Sequence, residues 1–348
     1  MDSFAFWYKV KTPEDGEECK TVEATMNFNL WCQCGWTKDE GLPYLDIGFK
    51  IKNLKYAEKL FFFLPFNTSQ QNKTDWIEDL GCKFTQTELV DSVFNESYAT
   101  TIAANKKTIR VERALKAGSE RFYIYQLDVE HDLELEHFAG GTIVVIETEN
   151  IYNSASSDCG DEEPVYYLRF RVKNCDLDFL IHQYTSPNYA LQSLFNTTYM
   201  IDFRYHNVRS LHKTLIERFN KKDTKVVAVT SLHFLLMTKA YIDVSINHSG
   251  FKGTRKIEKG VWDEYVNGND TEDLLAYHIA QKPKNEGEYL ASSELFAKFR
   301  VEKSVLKFYI GFTVVVSVLG SLIWTIILAI LKSGITEVMK AIRAMALS

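Results

Sequence analysis

The chain has 348 residues, with 40 Lys and Arg against 46 Asp and Glu and a formal net charge of −6. That balance excludes a protein whose whole surface binds polyanions, so any such function must come from local clusters. The chain is long enough for one large domain or two moderate ones, with only 17 Gly and 6 Pro to interrupt them.

The opening MDSFAFWYKVKTPEDGEE has no basic region and too short an apolar run to be an export signal, which places the head in the compartment of synthesis. Six cysteines then read as free thiols: Cys19, Cys32, Cys34, Cys82, Cys159 and Cys175. Cys32 and Cys34 stand one residue apart, which fits neither a redox pair nor a zinc knuckle, so neither a metal nor a cofactor is expected.

The first half reads as β structure. Short alternating or aromatic runs at 45–54, 59–66, 107–115, 121–130, 141–152 and 164–173 are separated by turn-rich segments. In the last of these, PVYYLRFRVK, alternation places Arg169 and Arg171 on one face and Leu168, Phe170 and Val172 on the other, a core face and an arginine face. The segment EHDLELEH at 130–137 divides Glu130, Asp132, Glu134 and Glu136 from His131, Leu133, Leu135 and His137, the pattern of a solvated edge strand rather than a catalytic cluster.

A helix is expected over 208–220, where Val208, Leu211, Leu215 and Phe219 share a face and Asn207 serves as N-cap. Strands follow at 224–236 and 239–247. The predicted fold is mainly β, sandwich or barrel-like, over 1–180, with a smaller α+β portion over 181–280. Residues 281–307 read as a linker and juxtamembrane helix, in which Leu295, Phe299, Glu302 and Leu306 share a face.

Two basic clusters stand out. Arg204, Arg209, Lys213, Arg218, Lys221, Lys222 and Lys225 fall within little more than one helix and its flanks, with Tyr205, His206, His212 and Phe219 among them. Lys106, Lys107, Arg110, Arg113 and Lys116 lie on and beside a predicted strand. Cations interleaved with aromatics suit a nucleotide or single-stranded oligonucleotide, which needs phosphate contacts and base stacking. Anionic lipid headgroups and a solvated helix face have the same composition.

Phe308–Leu331 carries no charge over roughly two dozen residues, the length a helix needs to cross a bilayer. Within it Thr313, Ser317, Ser321 and Thr325 recur every fourth residue, with Gly320 beside them, a small and hydroxyl-bearing stripe suited to close helix packing in a homo-oligomer or to lining a narrow pore. The tail over 332–348 is amphipathic, with Ile335, Val338, Met339, Ile342 and Met345 on one face, either continuing the helix or lying in the far interface. A single late span behind a head without export signal predicts a tail-anchored protein of the inner or plasma membrane, its head cytoplasmic.

No phosphate-binding glycine loop, HExxH or GxSxG motif is present. In layout, a β-rich head with basic patches on a hydroxyl-striped single span, the chain resembles the membrane effectors of bacterial anti-phage abortive-infection systems. The resemblance implies a head that senses a nucleotide or oligonucleotide and transmembrane helices that gate a pore. The alternative is an anchored scaffold or adaptor without conductance, and an anchored hydrolase comes last because no paired nucleophile stands in the sequence.

Overall fold

The computed structural model describes residues 2–12, 18–32, 43–67, 72–103, 105–113, 120–155, 163–173, 177–184, 196–266, 271–302 and 306–346. Two units emerge: a head, Met1–Tyr184 with Thr198–Arg300, and a second unit, Thr185–Thr197 with Val301–Ser348. Cys34, Cys159, Cys175, Lys116 and Lys303 lie outside the described residues, and Cys19, Cys32 and Cys82 are free thiols.

The head is mainly β. A five-stranded antiparallel sheet runs in the order β14 (Thr224–Val226), β1 (Ala5–Val10), β4 (Ala57–Leu64), β10 (Gly141–Glu147), β9 (Leu133–Phe138). A ten-stranded sheet runs β17 (Phe251–Lys256), β18 (Leu274–Gln281), β15 (Ala228–Lys239), β2 (Glu23–Cys32), β3 (Tyr44–Lys52), β11 (Tyr166–Val172), β8 (Arg121–Tyr125), β7 (Thr108–Arg113), β6 (Tyr98–Ile102), with β5 (Ile77–Asp79) also on β11. A four-stranded sheet joins β12 (Ile181–Tyr184), β13 (Asn196–Tyr205), β19 (Ser293–Glu302) and β16 (Asp243–Ile246). Among the described residues no sheet closes into a barrel; the sandwich alternative holds.

Aromatic side chains fill the space between the two larger sheets. Phe6 meets Phe49 at 4.7 Å between ring centroids, Phe62 meets Phe49 at 5.0 Å, and Phe4 meets Phe28 at 5.3 Å. Offset and edge contacts of this kind add to the stabilisation from burial itself. The run Leu60-Phe61-Phe62-Phe63-Leu64 in β4 is apolar without alternation because both faces of its sheet are covered. Phe62 points into the sandwich, while Phe61 and Phe63 join Ala5, Trp7, Ile143 and Val145 on the outer face. That outer face is roofed by helix α4 (Lys213–Phe219), whose Leu215 and Phe219 are buried on it, Phe219 stacking on Trp7 at 4.6 Å. The shorter helices are α1 (Lys73–Trp76), α2 (Thr87–Phe94) and α3 (Glu149–Asn153).

The outer face of the ten-stranded sheet is covered by Leu89 and Val90 of α2 and by Ile257, Trp262, Tyr265 and Val266. Consequently both faces of β11 are buried, and its arginines are not solvated. Arg171 donates from Nε to Asp46 Oδ1 at 2.7 Å, and Arg169 donates from Nη1 to Tyr167 Oη at 2.8 Å. Gly48 makes room for that tyrosine: a Cβ there would lie 2.5 Å from Tyr167 Oη.

Of the later strands, β14, β15, β17 and β18 complete sheets that the first 180 residues begin, while β12, β13, β16 and β19 form a sheet of their own, so the chain does not divide cleanly at 181. β15 pairs in parallel with β2, aligning Phe234 with Phe28, and β18 and β17 extend the sheet from β15. The expected juxtamembrane helix is instead β19. Leu295, Ala297 and Phe299 are buried and Phe296, Lys298 and Arg300 exposed, so the period is two; Leu295 and Phe299, four apart, satisfy both periods. The expected helix over 208–220 is confined to α4, and its N-cap is His212, whose ring nitrogen accepts from Thr214 N, rather than Asn207. Val208, counted on its apolar face, is 64% exposed.

In the second unit helix α5 (Leu306–Ala346) runs unbroken for 41 residues, and its segment Tyr309–Ala346 is long and apolar enough to cross a membrane. The amphipathic tail thus continues the helix through Ser333 and Gly334.

Candidate functional site

α4 and its flanks form the more open basic surface. Leu211, Leu215 and Phe219 hold the segment against the five-stranded sheet, which turns Arg209, Lys213, Lys221, Lys222 and Lys225 to solvent. None of these five makes an ion pair with a described residue. The other two members of the cluster are neutralised: Arg204 is paired with Asp202 and donates to Ser210 Oγ at 3.0 Å, and Arg218 is paired with Glu136 of β9 and lies over the Phe138 ring at 5.0 Å.

The cluster on β7 belongs to the ten-stranded sheet, so the structure does not merge it with α4. Arg110 is bound by Glu112, which also accepts from Arg121, and Arg113 is bound by Glu96 with Glu120 at 3.8 Å. Lys107 has no ion pair among the described residues. These arginines serve the sheet surface: a partner already compensates each of them, and an incoming anion would have to displace it.

Of the rings read as stacking partners for bases, only His212, the exposed N-cap of α4, is presented. Phe219 and Tyr205 are buried, and His206 packs on Trp7 at 4.8 Å. Burial pushes the His206 imidazole down to about 4, so it is neutral near pH 7 and adds no charge to the surface. A hollow beside it is lined by Asn207, Arg209, Ser292 and Glu294, and the Glu294 carboxylate bonded to Asn207 opposes an anion there. What α4 and its flanks offer is therefore a set of exposed cations without ion pairs among the described residues, with exposed Glu217 and Asp223 between them.

The acidic segment before β9 is structural. Asp132, placed on a solvated acidic face by alternation, is buried and accepts from Tyr125 Oη at 3.0 Å and Asp128 N at 2.9 Å. Alternation begins only at Leu133, and β9 is an edge strand, as its charge pattern implies. Among the described residues no three His, Cys, Asp or Glu side chains are grouped so that they could hold a metal ion.

On α5 the hydroxyl stripe is largely satisfied within its own helix. Thr313 Oγ1 donates to Tyr309 O, Ser321 Oγ to Val318 O, and Thr325 Oγ1 to Ser321 O, each at 2.8 Å. Back-bonded hydroxyls tolerate a lipid environment without a partner helix. Ser317 makes no such bond, and a Cβ on Gly320 would meet nothing within 4 Å.

Sequence reasoning passed over one group. Antiparallel pairing of β17 with β18 and of β18 with β15 brings Lys252, Arg255, His278 and His233 to one wall beside α2. Four residues scattered over some fifty positions on three strands carry no local signature, and of those strands only β15 coincides with an expected one, at 224–236.

The chain matches no protein-family model and no curated protein.

Proposed function

We propose that the protein is a tail-anchored binding protein that holds a β-sandwich head at a membrane surface, where the unpaired basic face of α4 takes an extended anionic ligand. The observation that carries this reading is the charge-free run inside an unbroken 41-residue helix, following a head on which five cations without an ion pair among the described residues fall on α4 and its flanks. Anchoring would confine the head to two dimensions and raise the local concentration of whatever it binds. Five free cations give a salt-dependent, sequence-indifferent attraction to an oligonucleotide or other polyanion.

The second reading makes α5 a conducting element, with the helices of several copies around an axis. Ser317 and Gly320, an unbonded hydroxyl and an open backbone position on adjacent turns, favour helix contact at that level. The bonded hydroxyls of Thr313, Ser321 and Thr325 favour the simple anchor. A ligand would open such an assembly only through its preference for the open state.

One experiment addresses both readings. The full chain, reconstituted in zwitterionic liposomes, is titrated with single-stranded oligonucleotide while ion flux is recorded. Binding that weakens with salt and vanishes in the triple variant Arg209→Glu, Lys213→Glu, Lys221→Glu supports the basic face, and undiminished binding in that variant overturns it. Flux that depends on the oligonucleotide and changes in Ser317→Ala supports conduction; binding without flux leaves the anchored binding protein.

A further inference from the structure

A hollow of about 280 Å³ opens between the C-terminal turn of α2 and the β17–β18 edge of the ten-stranded sheet. Its floor is apolar, formed by Val93, Phe94, Leu235 and Ala276, and its rim carries Lys252, Arg255 and His278. No carboxylate stands among the residues that line it.

The rim is built rather than incidental. Arg255 is fixed by Nη1 to Glu258 at 2.7 Å and by Nη2 to the carbonyl of Ser92 at 2.8 Å, so its guanidinium is held at the α2 end. Lys252 has no ion partner among the described residues and stands at a register shift between Phe251 and Gly253, where Gly253 has φ +148° and open space over its Cα. His278 is hydrogen-bonded to His233, Nε2 to Nδ1 at 3.0 Å, with the rings nearly parallel and 5.3 Å apart. That bond requires one imidazole to donate and the other to accept, so at least one ring is neutral. It also commits His278 Nε2 and leaves Nδ1, on the ring that lines the hollow, for a ligand.

Cations bear on both imidazoles. Burial, His278, Lys282 and Lys252 press the His233 imidazole down to about 4, and burial with Arg255 and Lys252 lowers His278. Among the described residues the carboxylate bonded to the rim is Glu258, and it is spent on Arg255.

We infer that this hollow is a binding site for a small amphipathic anion, a phosphate or carboxylate on an aromatic or aliphatic group. The charge lies between Lys252 and His278, and the apolar part on Leu235, Ala276 and Phe94. The apolar floor alone would take any small hydrophobe and the cations alone any anion, whereas the two together select molecules carrying both. The site is separate from the face of α4 and does not depend on the membrane reading.

The test uses the full chain in zwitterionic nanodiscs and isothermal titration with phenyl phosphate, inorganic phosphate and phenol. Saturable binding of phenyl phosphate, with each of the other two weaker by roughly tenfold or more, supports the site. Lys252→Gln, an exposed edge-strand change that leaves the core intact, should weaken phenyl phosphate by roughly tenfold, and His278→Gln should do the same without lowering the melting temperature of the head. Lys213→Gln with Lys221→Gln should leave it unchanged. Absence of saturable binding up to about 10 mM, phenol binding as tightly as phenyl phosphate, or equal loss in the α4 variant would each overturn the assignment.

Discussion

Asp46 accepts hydrogen bonds from Trp31 Nε1 at 2.7 Å, Tyr265 Oη at 2.8 Å and Arg171 Nε at 2.7 Å, with Arg169 Nη2 at 3.7 Å, and every one of these side chains is buried. One carboxylate thus faces two guanidinium groups, and the rings of Tyr44 and Tyr265 take up part of the second charge, at 4.0 Å and 5.2 Å from Arg171. Desolvating ions costs several kcal/mol each, so the cluster is a constraint on how the layers pack more than a source of net stability. Removing the anion alone is severe because it strands two cations in the core. Asp46→Asn should therefore destabilise the head by about 3–5 kcal/mol in denaturant titration. Asp46→Asn combined with Arg171→Met should recover part of that loss, since an apolar replacement for the whole pair is far cheaper than half a pair. Alternation in PVYYLRFRVK correctly groups the two arginines, but period alone cannot reveal that a second layer, built from residues 257–266, covers their face. The same blindness hides Asp46 in LDIGFKIK, where it reads as a solvated position.

At the scale of elements, strand existence was legible in the sequence and pairing was not. The runs at 45–54, 59–66, 107–115 and 164–173 are β3, β4, β7 and β11, because β-branched and aromatic residues between turn signals leave little else. The parallel joining of β2 to β15 spans some two hundred positions, and no local pattern encodes it. The antiparallel pairing of β15 with β18 assembles the His233–His278 contact, and that contact has a titration consequence. The His233 imidazole lies at about 4 in the fold against an ordinary 6.5, and His206 at about 4 likewise, both chiefly through burial. The unfolded chain takes up these protons more readily than the folded one, so stability is full above about pH 6.5 and falls as the pH drops toward 4. Asp79 acts the other way: burial raises its carboxyl to about 6, so the fold gains the proton first and stability rises as pH falls from 6. Two histidines against one carboxyl leave a net loss on acidification. His233→Gln removes one of the two, and should flatten the decline between pH 6 and pH 4.5 by about 1 kcal/mol per pH unit, read from denaturant midpoints across that range. An unchanged slope would place the proton uptake elsewhere.

For the whole molecule, the long apolar helix was the most legible feature, because absence of charge over a long run needs no knowledge of tertiary pairing. Its length raises a question the sequence left open. At about 1.5 Å per residue α5 is roughly 60 Å long, twice the hydrocarbon thickness of about 30 Å. Only one stretch of that rod can occupy the bilayer core. Phe308–Leu331 spans ~36 Å and fits with modest tilt, whereas Lys332, Glu337, Lys340 and Arg343 exclude the remainder from hydrocarbon and leave its apolar face, Ile335, Val338, Met339 and Ile342, for the interface. Position along α5 should then decide what a charge costs. Leu319→Arg, near the middle of the run, should disfavour insertion by about 3 kcal/mol and shift a large share of the protein out of the alkali-resistant membrane fraction. Ile335→Arg, on the same unbroken helix but beyond Lys332, should leave that fraction unchanged. A reporter at Ser348 should lie across the membrane from one placed in the head, and both reporters on one side would mean that α5 lies along the surface. In that case Leu319→Arg and Ile335→Arg would weaken membrane association to a similar, small degree, so the pair of variants tests the span independently of the reporters.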